Sequence, residues 1–234
     1  MFADLQYAYL IGDLILGAFW LALLLTRRDL LKEMVTVGLL MGSIALLVAP
    51  LFYDYWRPEY VLPFGFEEFL YGFFAGGVAS ALYDVLYGKR FAKRRDRRHH
   101  SALLFILVGL LAGSAFLYLR SVGLGSIYSS AILLLLCGIF TLALRRDLFV
   151  SAVVSGVTFA LCTGLFFEVF IYLFPTVVNA WWNVDALTWT NELGYPAEEL
   201  LWAFAFGFSV GPLYKFLAGH KFARYYQSPH GPIV

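Results

Sequence analysis

Two pairs of adjacent glutamates stand at the beginning of long apolar stretches. Glu67 and Glu68 form the first pair, and Glu198 and Glu199 form the second. A carboxylate in the hydrocarbon core costs about 2.5–3.5 kcal/mol on insertion scales, so it normally faces the interior of a helix bundle and marks a functional site. The first turn of a helix favours the anion, whereas burial favours the neutral acid. A carboxyl group in such a place can therefore exchange a proton.

A bulky aromatic residue follows the first glutamate of each pair by one helical turn. Tyr71 follows Glu67, and Trp202 follows Glu198. An acid beside aromatic rings can protonate a hydrocarbon double bond, and a carbocation over a desolvated ring gains about 2 kcal/mol or more. We therefore expect Glu67 and Glu198 to line a cavity as catalytic acids, with Tyr71 and Trp202 in contact with the substrate.

Two further acids lie inside apolar stretches. Glu168 belongs to the sixth stretch and Asp13 to the first. Acid–base catalysis needs groups whose environments separate their roles. We expect Glu168 to complete the catalytic set and Asp13 to contribute to substrate binding.

The second glutamate of each pair continues into a stripe of small residues at steps of four. Glu68 leads to Gly72, Gly76 and Ser80; Glu199 leads to Ala203, Gly207 and Gly211. Small residues let membrane helices approach closely. The stripes predict that the third and seventh helices cross through these positions, with Glu68 and Glu199 as catalytic-site carboxylates held at the tight contact.

Both glutamate pairs open a stretch that occurs twice. Residues 67–93 and 198–224 align without gaps. The shared positions are Glu67/Glu198, Glu68/Glu199, Leu70/Leu201, Phe73/Phe204, Gly76/Gly207, Leu82/Leu213, Tyr83/Tyr214, Leu86/Leu217, Gly88/Gly219, Phe91/Phe222 and Ala92/Ala223. A weaker match upstream pairs Arg27-Arg28-Asp29-Leu30 with Arg145-Arg146-Asp147-Leu148, and Gly38 with Gly156. The pattern predicts an internal duplication, and we call the two halves the first and second copies.

The composition places the chain in a bilayer. Of its 234 residues, 61% are hydrophobic and 14% charged, which is too little polar material for a soluble globule. We predict an all-α integral membrane protein with seven transmembrane helices. Runs of the required length cover roughly residues 4–26, 31–53, 64–87, 102–119, 126–144, 148–174 and 196–218.

The basic residues orient these helices. All of them except Arg57 and Arg120 fall in the loops after helices one, three and five or near the C-terminus. Short loops rich in lysine and arginine stay cytoplasmic, so the N-terminus is predicted outside and the C-terminus inside. Helices one to three then run parallel to helices five to seven, and helix four joins them. The expected units are residues 1–95, 96–121 and 122–234, in a multi-pass protein of the cell membrane.

Several residues favour a structural interpretation over a functional one. Paired glutamates at a helix N-terminus can act as interfacial caps. Trp181, Trp182 and Trp189 are interpreted as interfacial anchors rather than a substrate lid. Lys215 suggests a retinal Schiff base on a seventh helix, but its place near the cytoplasmic end favours a snorkelling side chain.

Nothing in the sequence predicts a metal or a cofactor. His99, His100, His220 and His230 fall at cytoplasmic helix ends, away from the acids, and Cys137 and Cys162 lie in apolar runs. We find no glycine-rich phosphate loop. The charged run 88–101 is interpreted as a solvated linker rather than a nucleic-acid site.

At these residues the chain resembles the membrane lycopene cyclases of the heterodimeric bacterial and fused archaeal and fungal type. Those proteins combine two related three-helix units, each with an RRD-like stretch after its first helix and a Pro-x-Glu-Glu motif at the start of its third. Pro196-Ala197-Glu198-Glu199 matches the motif in full. The first copy departs from it, because Gly65 stands in place of the proline.

The resemblance implies a lycopene β-cyclase that converts the open ψ-ends of lycopene, or of a related carotenoid, into β-rings. This isomerisation in carotenoid and isoprenoid biosynthesis is redox-neutral and needs no cofactor. Glu198, Glu199, Glu67 and Glu68 become the essential carboxylates. A polyene and membrane lipid are the implied partners, and the oligomeric state is left open.

Two other classes of protein stay open. A non-catalytic carotenoid- or lipid-binding protein would fit if the departure at Gly65 reports a relaxed function. A proton-coupled transporter would use the acids as a relay.

Overall fold

A computed structural model describes residues 5–58, 65–87, 91–93, 102–184 and 193–222. Apart from Phe91–Lys93, the predicted charged linker 88–101 lies outside these ranges, as do Trp189 and the predicted positions of His99, His100 and His230.

Helices dominate the described residues. Their bounds are α1 Ala8–Thr26, α2 Leu31–Val48, α3 Phe66–Tyr87, α4 Ala102–Ser121, α5 Ser126–Leu144, α6 Phe149–Leu173, α7 Val177–Trp181, α8 Ala197–Val210 and α9 Leu213–Leu217. Short 3-10 segments cover Arg28–Leu30, Ala49–Phe52 and Arg146–Leu148. Two short strands, β1 Phe91–Lys93 and β2 His220–Phe222, pair in antiparallel fashion.

Six helical segments of the described chain are long and apolar enough to cross a membrane, which fits a multi-pass membrane protein. They are Ala8–Thr26, Arg28–Phe52, Phe66–Tyr87, Ser126–Leu144, Arg146–Leu173 and Ala197–Leu217. The last contains both α8 and α9, which are separated at Gly211 and Pro212 because proline cannot continue the hydrogen-bond ladder. In α4 the apolar segment Leu107–Ser121 is shorter. The seventh span and the orientation therefore stay predictions.

The two ends of the bundle differ in chemistry. Because α1, α3 and α8 all begin near the paired glutamates, we call that end, marked by Ala8, Phe66 and Ala197, the glutamate end. We call the opposite end, where α1 and α3 finish and α9 lies, the lysine end.

The arginine motif has the same local structure in both copies. Arg27 has φ −136° and ψ 71°, and Arg145 has φ −138° and ψ 73°. Each guanidinium binds the aspartate two residues on through two nitrogens, at 2.8 Å to Asp29 and at 2.7–2.8 Å to Asp147. The weaker sequence match therefore corresponds to a shared turn that ends one helix and begins the next.

The small-residue stripes pack within each copy. A Cβ added to Gly72 would lie 2.6 Å from the Met41 carbonyl oxygen of α2, and one on Gly207 would lie 2.5 Å from the Ser155 carbonyl oxygen of α6. The predicted crossing of the third and seventh helices through these glycines is therefore wrong. Glycine is needed instead where α3 meets α2, and α8 meets α6, almost backbone to backbone.

Lys215 is buried at the lysine end. Its side chain is 0% exposed, and its Nζ lies 2.7 Å from Asp84 Oδ2 and 3.3 Å from Glu33 Oε1. The snorkelling interpretation is therefore wrong. The sequence places Lys215 near a helix end, where a lysine can reach water, but two carboxylates from α2 and α3 bind it inside the bundle.

Leucine at Gly76 should destabilise the fold, because a Cβ there already lies 2.7 Å from the Met41 Cβ. We expect Gly76→Leu to lose about 1–3 kcal/mol from overpacking. Thermal unfolding in detergent measures this loss. Gly109→Leu in α4 is the matched control, since an added Cβ there meets no atom within 4 Å. Equal melting temperatures for the two variants would contradict the assigned α2–α3 contact.

Candidate active site

A cavity of about 950 Å³ lies between the helices of both copies. This volume is at the upper end of the range for small-molecule sites. Side chains from α1, α2, α3, α5, α6 and α8 contribute to the wall, together with residues of α4 and α9. Most of the lining is aliphatic or aromatic. The carboxylates in the wall are Asp13, Glu68 and Glu199, all from the glutamate end.

The second glutamate of each pair faces this cavity. Glu68 and Glu199 belong to the wall, whereas Glu67 and Glu198 do not, although they are only 2% and 5% exposed. The expectation that the first glutamates line the cavity is therefore wrong. Gly72, one turn below Glu68, also lines the cavity.

Glu68 and Glu199 are each held by aromatic hydrogen-bond donors from other elements. The Tyr9 hydroxyl of α1 donates to Glu68 Oε2 at 2.7 Å. The Tyr55 hydroxyl and the Trp182 indole nitrogen both donate to Glu199 Oε1, each at 2.8 Å. Loops at the glutamate end therefore fix the geometry of Glu199, and the first helix fixes that of Glu68.

The first glutamate of the second pair has a different partner. Tyr128 of α5 donates its hydroxyl proton to Glu198 Oε1 at 2.7 Å. This contact ties α8 to α5 inside the second copy. Glu198 is therefore hydrogen-bonded within the second copy and lies outside the cavity wall.

Tyr55 acts as a hydrogen-bond donor to Glu199 because its hydroxyl stays protonated. Burial, and then the neighbouring Glu199 carboxylate, raises the pKa of Tyr55 above its ordinary value. The phenol can therefore donate a hydrogen bond to Glu199 throughout the physiological pH range.

Tyr71 and Trp202 occupy aligned positions and meet each other in the cavity wall. Their ring centroids are 6.5 Å apart and their planes differ by 29°. Trp202 also stacks on Phe206 at 5.0 Å. The two copies therefore contribute to one aromatic surface, and the predicted contact of Tyr71 and Trp202 with a substrate stays a prediction.

The remaining predicted acids have different positions. Asp13 is 1% exposed and belongs to the cavity wall, and its Oδ2 has no hydrogen-bond partner among the described residues. Glu168 lies on an exposed face of α6, outside the wall. The structure therefore brings Asp13 to Glu68 and Glu199 but separates Glu168 from them.

Two loops close the cavity at the glutamate end. Trp56 and Trp182 form an isolated β-bridge, and the Asn183 amide donates to the Tyr55 carbonyl oxygen at 2.9 Å. Trp181 and Trp182 are 3% and 9% exposed and line the cavity. The interpretation of these two tryptophans as interfacial anchors is wrong, because they pack inward over the cavity.

Sequence reasoning missed the donors of the cavity carboxylates, Tyr9, Tyr55 and Trp182. Tyr9 stands one helical turn before Asp13, a spacing that places both on one face of α1. Tyr55 and Trp182 belong to aromatic clusters of the loops that precede the glutamate pairs. The sequence shows these aromatic clusters, but it does not show the pairing of the two loops that directs the side chains into the cavity.

Taken together, the fold and the cavity define a helical, multi-pass membrane protein with an aromatic cavity and carboxylates at one end of it. Residues 125–217, from the turn before α5 to the end of α9, match the family model described as lycopene cyclase. This match confirms the resemblance for that segment and supports a carotenoid cyclase at the level of the family. In the other two comparisons, no curated protein and no solved structure matches the chain.

Tyr55→Phe should loosen Glu199 without changing the shape of the wall. A hydrogen bond to a charged group contributes about 1.5–3 kcal/mol, and we expect the free energy of unfolding to fall by that amount. Thermal unfolding in detergent measures it. Tyr53→Phe, in the same loop but 52% exposed, is the control and should melt like the wild type. An unchanged Tyr55→Phe protein would show that the contact to Glu199 is absent in solution.

Proposed function

We propose that the chain is a lycopene β-cyclase, an intramolecular isomerase that closes the ψ-ends of lycopene or a related carotenoid into β-rings. The observation that carries this proposal is the presence of Glu68 and Glu199, one from each copy, in the wall of a single apolar cavity. A polyene hydrocarbon is apolar along its length and offers no polar group that a protein could bind. Acids at one end of an aromatic cavity suit an attack on its terminal double bond.

The reaction needs one acid and one base. The acid adds its proton to the terminal carbon–carbon double bond, and the resulting cation is attacked by the internal double bond, which closes the ring. The ring cation then loses a proton to the base and leaves the β-ring double bond. One proton enters and one leaves, so the electron count of the substrate is unchanged and no redox cofactor takes part.

The surroundings of the two carboxylates suggest a division of labour. Glu199 accepts two hydrogen bonds at one oxygen, and donors of this kind stabilise an ionised carboxylate. Glu199 therefore suits the base. Glu68 accepts one hydrogen bond from Tyr9 and shares the wall with Asp13, so it suits the acid that carries the proton.

Aromatic rings next to these carboxylates suit the cationic intermediate. Tyr71 and Trp202 lie in the wall, one turn below their glutamate pairs. Ring faces attract a desolvated cation by about 2 kcal/mol or more. An apolar wall also disfavours water next to the cation, which protects it from capture. We therefore assign Tyr71 and Trp202 to the substrate.

The departure of the first copy from the proline motif leaves this site intact. Gly65 has φ +66°, a conformation that proline cannot adopt, whereas Pro196 has φ −62°. The chain enters α3 by a different turn, yet α3 still begins at Phe66 and directs Glu68 into the cavity. This favours a working first copy over a purely binding protein with a relaxed site.

Expression in a lycopene-accumulating bacterium, followed by pigment chromatography, tests the proposal. The wild type should yield β-ring products. Glu68→Gln and Glu199→Gln keep the shape of each side chain but cannot transfer a proton, so we expect ring formation to fall by about 10²–10⁴-fold. Glu168→Gln is the matched control, because Glu168 lies outside the wall, and it should keep full activity.

The protein level in the membrane must be equal among the variants, which immunoblotting checks. Glu67→Gln and Glu198→Gln should be milder, since these side chains lie outside the cavity wall. Full cyclisation by both Glu68→Gln and Glu199→Gln would refute the assigned carboxylates. A wild type that purifies with unchanged lycopene would identify a binding protein instead.

A further inference from the structure

The ion pair between Asp84 and Lys215 joins two aligned positions of the duplicated sequence. Each follows the shared Leu-Tyr dipeptide, Leu82-Tyr83 in the first copy and Leu213-Tyr214 in the second. The two side chains are 0% exposed, and their charged atoms lie 2.7 Å apart. Where one copy carries an acid, the other carries a base, and the two meet.

Aligned positions also meet at two other levels of the bundle. Tyr71 stacks on Trp202 in the cavity wall. Phe91 of β1 pairs with Phe222 of β2, and the neighbours follow symmetrically, with Ala92 opposite Lys221. Two residues at equivalent places in two related units can touch only where those units face each other across a twofold axis. These contacts therefore mark the axis between the two copies.

Among these three contacts, the ionic one discriminates between partners. Two tyrosines or two tryptophans could meet at the axis as easily as Tyr71 and Trp202, and the backbone pairing of β1 with β2 does not depend on the side chains. Two Asp84 side chains, or two Lys215 side chains, would place like charges a few ångströms apart in a dry interior, which is strongly unfavourable. The contact therefore fits unlike copies and opposes like ones.

Glu33 increases this difference between the copies. Its Oε1 lies 3.3 Å from Lys215 Nζ, and it is 3% exposed. At the displacement that aligns Arg27 with Arg145, the position equivalent to Glu33 is Ser151, which is also buried. A first copy facing another first copy would bring together four buried carboxylates without the lysine that binds them here. A second copy facing another second copy would bring two lysines and no acid.

We propose that Glu33, Asp84 and Lys215 form a pairing triad that makes the first copy accept the second copy, and reject another first copy, as its partner in the membrane. The triad lies outside the cavity wall, so this role is independent of the proposed cyclase activity. The triad recognises the charge of the facing side chain and not the chain that carries it. A first copy can therefore also accept the second copy of another chain. Buried polar contacts that select partners in this way are best known from coiled coils.

Charge reversals in the full-length chain test the pairing triad. Asp84→Lys places two lysines at the axis, and Lys215→Asp places three acids there. Each variant alone should lose the monodisperse elution peak that the wild type gives in detergent. The double variant carrying both changes restores opposite charges with the positions exchanged, and it should recover the wild-type peak.

Co-expression of the two single variants, with different affinity tags, tests partner selection directly. The lysine-bearing first copy of one chain then matches the aspartate-bearing second copy of the other, and the reverse pairing also matches. We expect each tag to recover the other chain in a folded dimer, whereas neither variant expressed alone should fold.

Asp54→Lys is the matched control. It breaks the 2.8 Å ion pair between Asp54 and Arg120, whose side chains are 34% and 31% exposed. Asp54 and Arg120 do not occupy aligned positions of the two copies. It should fold without a partner chain and elute like the wild type. Single variants at Asp84 and Lys215 that elute like the wild type would overturn the proposal, and so would a double variant and a co-expressed pair that both fail to fold. Because folding is the readout, these results are separate from any result on ring formation.

Discussion

The constraint on which the rest of the structure depends is the burial of carboxylates inside an apolar helix bundle. A buried charge is tolerated only where hydrogen bonds or an opposite charge compensate for the lost water. At the glutamate end that compensation comes from aromatic donors, Tyr9, Tyr55 and Trp182. At the lysine end it comes from Lys215. The two ends of the bundle therefore compensate their carboxylates differently, by hydrogen bonds at one end and by an opposite charge at the other.

Aromatic donors leave the carboxylates at the glutamate end facing open space. A phenol or an indole occupies one oxygen of Glu68 or Glu199 and leaves the group in the cavity wall, where a substrate can reach it. The lysine of the other end satisfies its acids by direct contact, away from the cavity. The first arrangement suits chemistry on a polyene, and the second suits recognition between the two copies.

Much of the fold could be predicted from the sequence because the bilayer restricts it to long apolar helices. The bounds of α2, α5 and α6 agree closely with the predicted spans, and the arginine turns follow the weaker match. The glutamate pairs were also correctly placed inside the bundle, where Glu67, Glu68 and Glu198 are buried and Glu199 is half-buried. Which member of each pair faces the cavity was predicted wrongly, because that choice depends on how α3 rotates when Gly72 and Gly76 dock on α2. No pattern within a single helix contains that information.

The contacts between distant loops were the other part that sequence could not supply. Tyr55 reaches Glu199 only because its loop pairs with the loop of Trp182, and neither loop has a periodic pattern. Lys215 was misjudged for the same reason. Its position along α9 suggests an exposed end, but Glu33 and Asp84 come from other helices. Pairings of this kind are set by tertiary structure, whereas composition fixes only the environment in which they form.

Isotope incorporation during catalysis tests the central claim most directly, namely that a carboxyl proton starts a redox-neutral ring closure. Membranes containing the protein would be supplied with lycopene in deuterium oxide, and the products analysed by mass spectrometry. Our account predicts one carbon-bound deuterium for each β-ring formed, because the proton on the catalytic carboxyl exchanges with solvent before it is transferred. Rings without deuterium would contradict it.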